Sequence, residues 1–407
     1  MTYYADELVT LYHGDCIEVM RGMVDGCVDA IVTDPPYGLG FMGRAWDALP
    51  PGYDFAVECL RVLKPGGHML AFGGTRTWHR LAVAIEDAGF EIRDSIAWMY
   101  GSGFPKSLDV SKAIDKAAGV EREVVGLSLD YAEFNSPDYG SSDVNIAGRK
   151  ERNVAAQITA PATPDAVRWQ GWGTALKPAY EPIVVARKPV IGTVAANVLA
   201  YGTGALNIDG CRIDMGAEYD ANRVQRQQNS AGVIDGAFGA AALIGKEIPT
   251  YNGKGRWPAN VILDESQAAE LDRQSGWSKS PPTDSVITVK ANDSIGTFKM
   301  GDRQTANGHG DSGGASRFFY TAKASTHERP RIDGSTHPTV KPLTLMRYLV
   351  RLVTPPGGIV LEPFAGSGTT AEACIVEGFK CIGIERDPTY LDLIVQRVSK
   401  PIQVTLL

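Results

Sequence analysis

Val28-Asp29-Ala30-Ile31-Val32-Thr33 is a β-branched, mostly apolar run, which is typical of a short buried strand. The segment Asp34-Pro35-Pro36-Tyr37-Gly38 follows it at once, so the strand delivers an acid, two prolines and an aromatic ring to its carboxyl end. In an open α/β sheet, ligands bind at that edge. Because an Asp-Pro pair favours turns anywhere, the stretch taken alone also fits a plain strand-terminating turn.

The tetrad Asp34-Pro35-Pro36-Tyr37 suits attack by an exocyclic aromatic amine on an electrophile. Such an amine is a poor nucleophile because its lone pair is delocalised into the ring. The carboxylate of Asp34 and the backbone carbonyl of Pro35 can each accept one N–H, which favours a more tetrahedral nitrogen with its lone pair aimed at the incoming group. The ring of Tyr37 can stack on a base. The two prolines fix φ, so the segment is stiff before anything binds.

The composition indicates a soluble globular protein of one large domain or two ordinary ones. The chain has 407 residues, of which 44% are hydrophobic and 21% charged, and no apolar run reaches membrane-spanning length. The N-terminus lacks a basic segment followed by an apolar one, which predicts no signal peptide and a cytoplasmic location. The formal net charge of −7 argues against a protein that coats nucleic acid without sequence preference, but it leaves room for a local basic cleft.

The cysteines and histidines predict neither a disulfide framework nor a zinc site. No C-x-x-C pair occurs, and no histidine pairs with a cysteine at ligand spacing. We therefore expect reduced thiols, four of them in core stretches. The six cysteines are Cys16, Cys27, Cys59, Cys211, Cys374 and Cys381.

Through the first hundred residues, strand-like and helix-like spacings alternate. This β-α-β-α-β order predicts a mainly parallel, doubly wound sheet. Lys64-Pro65-Gly66-Gly67 is expected to end the second helix through a glycine C-cap. In chain order the expected elements are strand 8–11, helix 17–23, strand 28–33, helix 55–63, strand 68–72, helix 78–88 and strand 91–100.

From Gly101 onward the alternation breaks. A helix is expected within residues 106–118, and Ile183-Val184-Val185-Ala186 is expected to be a strand that returns to the sheet edge. Residues 126–165 and 191–325 show no clear period and are interpreted as irregular, which in a compact protein indicates either a functional or a disordered segment.

A second motif lies near the other end of the chain. The strand Ile359-Val360-Leu361 runs into the glycine turn Phe364-Ala365-Gly366-Ser367-Gly368-Thr369-Thr370, which opens into a helix over 371–377. This is a nucleotide-binding arrangement, because glycines let the backbone come close to a ligand. Glu385 ends the next strand, where a carboxylate can take ribose hydroxyls. A tight βα turn without a ligand is the competing interpretation, and Ala371 in place of a third glycine leaves a dinucleotide site open.

Together these stretches resemble the amino-group DNA methyltransferases that use S-adenosylmethionine. The tetrad at 34–37 is similar to their catalytic motif, and Phe364-Ala365-Gly366-Ser367-Gly368 to their cofactor motif. His337-Pro338-Thr339-Val340-Lys341-Pro342 resembles the segment that precedes the cofactor motif and helps hold the methionine end. The catalytic motif comes first, a long middle region next and the cofactor motif last, which is similar to the β class. The resemblance covers roughly residues 8–103, 172–190 and 317–400, and Gly171 to Pro178 resembles a segment of bacteriophage-type members.

The resemblance implies a Rossmann-like class I methyltransferase sheet that is mostly parallel with one antiparallel strand. The motif order is circularly permuted, and an irregular target-recognition region is inserted. The implied division of the chain is a catalytic half at 1–103, an insertion at 104–175, the returning strand of the core at 176–190, a target-recognition region at 191–325 and a cofactor-binding half at 326–407.

The resemblance also implies residue roles. Asp34, the Pro35 carbonyl and Tyr37 grip the target base in the stiff frame that Pro36 helps to set. Glu385 binds the ribose, and Asp15 approaches the adenine, although Asp15 fits a helix N-cap nearly as well. Lys341 joins the cofactor contacts, unless it is an ordinary solvated lysine. The remaining cofactor contacts are implied at Pro363, Phe364, Gly366, Ser367, Gly368 and Thr369.

The favoured hypothesis is a sequence-specific transfer of a methyl group from S-adenosylmethionine to the N6 amino group of adenine in double-stranded DNA. In the family that the chain resembles, aspartate at the first tetrad position favours adenine, because the cytosine-N4 members more often carry serine there. Since this is a tendency and not a rule, cytosine-N4 transfer is the second hypothesis. A DNA-binding protein without catalysis and a nicotinamide oxidoreductase are hypotheses from two further classes. No Pro-Cys dipeptide and no H-x-E with P-C-x-x-C occur, which argues against cytosine-C5 methylation and base deamination.

Three further partner hypotheses accompany this function. The target base must rotate out of the duplex, so the chain has to hold an opened DNA site. Many β-class relatives pair up, which suggests a homodimer, although no stretch of the sequence predicts its surface. No nuclease or helicase motif is apparent, so a role in restriction–modification would need a separate endonuclease.

Overall fold

A computed structural model describes residues 1–39, 50–101, 103, 107–127, 157–214, 255–279, 287–289, 303–305, 312–322 and 340–400. The chain divides into two compact units. One unit comprises Met1–Ser102 and Ala179–Leu407, and the other comprises Gly103–Pro178. The larger unit contains the main sheet and both motifs.

The described helices and strands follow. The helices are α1 Cys16–Arg21, α2 Tyr53–Val62, α3 Trp78–Asp87, α4 Val110–Ala117, α5 Pro164–Arg168, α6 Val194–Tyr201, α7 Glu265–Ser275, α8 Leu343–Val353, α9 Thr369–Glu377 and α10 Pro388–Val398. The strands are β1 Thr2–Ala5, β2 Val9–His13, β3 Val28–Thr33, β4 Leu63–Phe72, β5 Glu91–Met99, β6 Val124–Leu127, β7 Gln157–Thr159, β8 Tyr180–Arg187, β9 Val261–Asp264, β10 Ser278–Lys279, β11 Ile287–Val289, β12 Arg303–Thr305, β13 Ser312–Gly313, β14 Tyr320–Ala322, β15 Ile359–Glu362 and β16 Lys380–Glu385. Two short 3₁₀ turns cover Asp209–Cys211 and Ala315–Phe318.

Ten of these strands form one sheet in the order β1-β2-β16-β15-β3-β4-β8-β5-β9-β14. The central pairs β2–β16, β16–β15, β15–β3 and β3–β4 are parallel, which confirms the expected mostly parallel sheet. The expectation that the strand around Ile183 returns to the sheet edge was wrong. β8 lies inside the sheet and pairs antiparallel with both β4 and β5. A second antiparallel strand, β1, pairs with β2 at one edge.

The centre of the sheet is buried on both faces, as the continuous apolar character of β3 predicts. Every residue of β3 is buried. Ala30 and Val32 pack into a core that includes α8, α9 and α10, whereas Ile31 packs into a core that includes α1, α2 and α3. Helices therefore cover both faces, which fixes the motifs at the exposed carboxyl ends of the central strands.

One local expectation needs correction. The glycine C-cap expected at Lys64–Gly67 is not formed, because α2 runs directly into β4 at Leu63. Residues 64–67 instead form an irregularity within β4 that shifts its register against β3. Leu63 pairs with Val28 before the shift, and His68 pairs with Ala30 after it.

The stretches interpreted as irregular also contain regular structure. Within 191–325, β9 pairs parallel with β5 and β14 pairs parallel with β9, so both extend the main sheet. Helices α6 and α7 lie in the same stretch. Within 126–165, β7 pairs with β6 and α5 begins at Pro164. The role of residues 191–325 in target recognition stays a prediction.

The smaller unit is organised around the buried carboxylate of Asp115. Its Oδ2 accepts hydrogen bonds from Arg122 and from the backbone N–H of Ala162, and its Oδ1 accepts from both the hydroxyl and the N–H of Thr163. Helix α4 in this unit, which the sequence predicts within residues 106–118, begins after its N-cap Asp109.

Other findings concern cysteines, metals and membranes. All six cysteines are free thiols, and five of them are buried. Within the described ranges no cluster of potential ligands could hold a metal ion. In the same ranges, no helix combines the length and apolarity that crossing a membrane requires.

Candidate functional site: a charged cluster beside a glycine turn

The tetrad lies at the carboxyl end of β3, as the sequence predicts. The Tyr37 hydroxyl lies 2.8 Å from Oδ1 of Asp34, and Thr77 donates a hydrogen bond of 2.5 Å to the Tyr37 carbonyl. Pro35 is buried and Pro36 partly buried. The tetrad is therefore held by its own side chains and by the turn that follows β4.

Lys341 reaches this tetrad rather than lying in solvent. Its Nζ donates to Oδ2 of Asp34 at 2.7 Å and to the Tyr37 hydroxyl at 3.1 Å, and it lies 4.8 Å from the centre of the Phe72 ring. Lys341 is buried. Burial alone would lower the pKa of this ammonium, but the charges of Asp34 and Glu181 outweigh it and raise the pKa above its usual value. The solvated alternative is thus excluded, while His337, Pro338 and Thr339 of the same predicted segment lie outside the described residues.

Glu181 completes the cluster, and sequence reasoning missed it. Its Oε2 lies 2.9 Å from the Tyr37 hydroxyl and 3.1 Å from Nζ of Lys341. The residue stands near the start of β8, next to β4, so only the correct strand order brings it to the tetrad. Burial, followed by the charge of Glu181, raises the pKa of Tyr100 to about 12.

The hydroxyl of Tyr37 lies between two carboxylates but has a single proton to donate. Burial, reinforced by the charges of Asp34 and Glu181, raises the pKa of Tyr37 well above its usual value, so the phenol stays neutral. The ammonium of Lys341 touches all three groups and compensates the crowding of negative charge.

The glycine turn connects β15 to α9 as expected. Gly366 and Gly368 adopt φ values of 52° and 75°, a left-handed conformation that glycine accepts without strain. The hydroxyls of Ser367 and Thr369 lie 2.9 Å apart. A Cβ added to Gly368 would meet Cγ2 of Ile394 at 3.0 Å, so α10 leaves no room for a side chain there.

Glu385 stands at the end of β16 and closes on the glycine turn. Its Oε2 accepts from the N–H of Gly366 at 2.7 Å, and its Oε1 accepts from the N–H of Asp387 at 2.7 Å. Burial raises the pKa of this carboxyl, and the backbone donors act against that rise. The carboxylate is therefore fixed beside the turn, and its binding of ribose hydroxyls stays a prediction.

Asp15 adopts the helix-cap role that the sequence left open. It is the N-cap of α1, and its Oδ1 accepts from the N–H groups of Ile17 and Glu18. The preceding Gly14 donates its N–H to the carbonyl of Glu385, so the cap stands at the end of the strand beside β16. A contact from Asp15 to adenine stays a prediction.

A second carboxylate that sequence reasoning missed links the two motifs. Glu362, the last residue of β15, accepts from the hydroxyl of Thr33 at 2.5 Å, from that of Thr370 at 2.6 Å and from the N–H of Phe364 at 3.1 Å. Burial raises the pKa of Glu362 to about 8 despite these donors. Pro363, which follows Glu362, is buried, and the Phe364 ring lies 5.3 Å from that of Phe55.

Comparison with known proteins bears on this site. A family model described as DNA methylase, for N6 and N4 enzymes, matches residues 28–396. A curated relative named DNA adenine methyltransferase YhdJ, from Escherichia coli (strain K12), is 44% identical over 63 residues, which are 16% of this chain. The chain spans about a fifth of that relative's length, 21%.

Solved structures add likenesses at low identity. A structure titled as the M1.HpyAVI–SAM complex is 15% identical, with 96% of this chain and 100% of that chain covered at a TM-score of 0.39. A structure titled PvuII DNA methyltransferase (cytosine-N4-specific) is 13% identical, with 98% and 89% covered at a TM-score of 0.42.

Proposed function

The chain belongs to the N6/N4 family of DNA methylases, and on that premise we propose that it transfers a methyl group from S-adenosylmethionine to the N6 amino group of adenine in duplex DNA. One observation carries the proposal. The tetrad and the glycine turn follow adjacent parallel strands, β3 and β15, and Glu362 bonds to both sides of that junction. A donor held by the turn and an amine held by Asp34 would therefore meet at one edge of the sheet.

The residues present fit this donor. The turn is left-handed at Gly366 and Gly368, and the carboxylate of Glu385, which accepts the N–H of Gly366, has further acceptor positions for ribose hydroxyls. The cluster of Asp34, Glu181 and Lys341 carries more negative than positive charge, which suits a sulfonium. We assign the other cofactor contacts to Asp15, Pro363, Phe364, Ser367, Gly368 and Thr369, as the resemblance implies.

The donor supplies a methyl group on a good leaving group, so no acid has to protonate it. Asp34 and the carbonyl of Pro35 accept the two N–H groups of the amine and orient its lone pair toward the methyl carbon. The bound donor would supply the methyl group and would keep the electrons of the broken carbon–sulfur bond as a neutral thioether. The nitrogen then sheds one proton along its hydrogen bond to Asp34. Tyr37 holds the base by stacking.

The duplex adds a requirement outside the transfer itself. An amine that faces its partner base must be rotated out of the stack, at a cost of a few kcal/mol. We propose that residues 191–325 supply the contacts that repay this cost. The homodimer, the separate endonuclease and the cytoplasmic location expected from the sequence stay predictions.

Adenine is the proposed base for two reasons. Asp34 stands at the tetrad position where the cytosine-N4 members more often carry serine. The relative named DNA adenine methyltransferase matches 63 residues at 44% identity. Cytosine-N4 transfer is the second candidate, since the family model covers both reactions.

The decisive experiment is nucleoside mass spectrometry on duplex DNA of varied sequence incubated with the protein and S-adenosylmethionine. N6-methyladenine is the expected product. N4-methylcytosine would retain the mechanism and overturn the base assignment. The absence of any methylated base would overturn the proposed function.

A further inference from the structure

The cluster at the tetrad holds three formal charges within hydrogen-bonding distance. Lys341 Nζ lies 2.7 Å from Oδ2 of Asp34 and 3.1 Å from Oε2 of Glu181. Two carboxylates and one ammonium leave one net negative charge, because the phenol of Tyr37 is neutral. The side chains of Lys341, Asp34 and Glu181 are only 10%, 20% and 18% exposed, so water screens this charge weakly.

Asp34 and Lys341 alone would balance each other. Glu181 is the group that makes the cluster negative, and it stands on β8 opposite Trp98 of β5. A residue needed only to hold Lys341 and Tyr37 could be a neutral hydrogen-bond acceptor such as glutamine.

From this excess charge we infer that Glu181 sets the preference of the site for one ligand charge over another. It makes the site prefer the cationic methyl donor to the neutral thioether that transfer leaves behind. The inference rests on the proposed function, because it takes the sulfonium to react beside Asp34. Reacting atoms approach to about 3–3.5 Å, so the sulfonium must lie close to the cluster. Transfer removes the positive charge, and the same carboxylate that favours the donor then favours release of the product.

The test is the ratio of two dissociation constants, for S-adenosylhomocysteine over S-adenosylmethionine, measured by calorimetry at about pH 8.5. In Glu181→Gln the amide retains the shape and the acceptor oxygen but removes the charge. One unit charge about 10 Å away, at an effective dielectric constant of about 20–40, is worth roughly a four- to twenty-fold change in that ratio. We expect the ratio in Glu181→Gln to fall by that factor, mainly through weaker binding of S-adenosylmethionine, with a smaller change in the affinity for S-adenosylhomocysteine.

A charge cycle makes the test independent of any one variant. Lys341→Met makes the cluster more negative, and Lys341→Met/Glu181→Gln returns it to the wild-type net charge. The preference for the donor should therefore be highest in Lys341→Met, equal in the wild type and the double variant, and lowest in Glu181→Gln. If one variant fails to fold, the pair that differs at Glu181 in the other background still gives the comparison.

The matched control is Glu86→Gln, which removes one charge from an exposed position on α3 and should leave the ratio at the wild-type value. A ratio that stays within about two-fold of wild type in Glu181→Gln, with both affinities falling together, overturns the inference and leaves a structural role for Glu181. A wild-type protein that binds neither ligand overturns the proposed function itself, so the two failures are distinguishable.

Discussion

The side-chain nitrogen of Lys341 lies 2.7 Å from Oδ2 of Asp34, although 307 residues separate them in the sequence. β3 delivers Asp34, and the segment before α8 delivers Lys341. The contact joins the parts of the chain predicted to carry catalysis and cofactor binding. Under the proposed function, the ammonium and the amine of the target base share one carboxylate, so the substrate enters by exchanging hydrogen bonds at Asp34.

Replacing Asp34 tests the centre of the mechanism. Asp34→Ala removes the acceptor that orients the amine, and we expect kcat to fall by about 100-fold or more, as for other preorganised hydrogen-bonding groups. Methyl transfer to DNA, followed with a labelled donor, measures the effect. Asp54→Ala, at an exposed position in the first turn of α2, should retain wild-type activity. Full activity in Asp34→Ala would exclude the catalytic assignment.

Replacing Lys341 should slow methyl transfer. Lys341→Met removes the ammonium that bonds to Asp34 and to the Tyr37 hydroxyl, so the acceptor for the amine loses the contact that holds it in place. We expect kcat to fall by about ten-fold or more, measured as methyl transfer to DNA with a labelled donor. Lys380→Met, at an exposed position, is the control and should retain the wild-type rate. A wild-type rate in Lys341→Met would mean that this ammonium does not position Asp34.

Sequence reasoning located the elements whose signals are local. β3 and α3 follow from apolar spacing within a few residues, and the glycine turn follows from its own motif. The place of β8 could not be predicted, because strand order depends on pairing between distant segments. Glu181 was missed for the same reason, since its neighbours come from β3 and from the segment before α8.

The sequence did not predict the short strands and the buried acid Glu362 for other reasons. β9 and β14 have four and three residues, too few for a periodic signal, and they extend the sheet because β9 pairs with β5 and β14 pairs with β9. Glu362 ends an apolar run, where an acid normally faces solvent. Only the fold shows that Thr33 and Thr370 bury it.

Glu362 should make stability depend on pH. Its pKa is raised to about 8 in the folded protein, above its usual value near 4.5. A carboxyl with a raised pKa binds its proton more tightly when folded, so its contribution is fully present below about pH 4.5 and is lost as pH rises toward 8. Over that window the free energy of unfolding should fall by up to about 1.4 kcal/mol per pH unit from this group. Urea denaturation at several pH values measures the slope.

Glu362→Gln is the variant that isolates this effect. The amide keeps a polar group near Thr33 and Thr370 but cannot ionise, so the slope between about pH 5 and 8 should flatten. His68 is unchanged in both proteins. Its pKa is lowered from 6.5 to about 4, mainly by burial, so its titration raises the free energy of unfolding as pH rises from about 4 to 6.5, equally in both proteins. Equal slopes in the two proteins would show that Glu362 is ionised throughout.

The glycine turn allows a paired test of local space against backbone strain. Gly368 and Gly378 share a φ of 75°, so alanine costs about 1–3 kcal/mol of backbone strain at either position. A Cβ on Gly378 meets no atom within 4 Å, whereas one on Gly368 comes within 3.0 Å of a methyl group and 3.3 Å of the backbone of Ile394. Gly368→Ala should therefore push the turn away from α10 and lose a further ~1–3 kcal/mol of stability.

The same pair of variants tests donor binding, because the turn is the proposed binding site of the donor. The dissociation constant of Gly368→Ala for S-adenosylmethionine should rise by about ten-fold or more, whereas Gly378→Ala should bind like the wild type. Equal donor affinity in the two variants, measured by calorimetry on folded protein, would contradict the assignment of the donor to this turn.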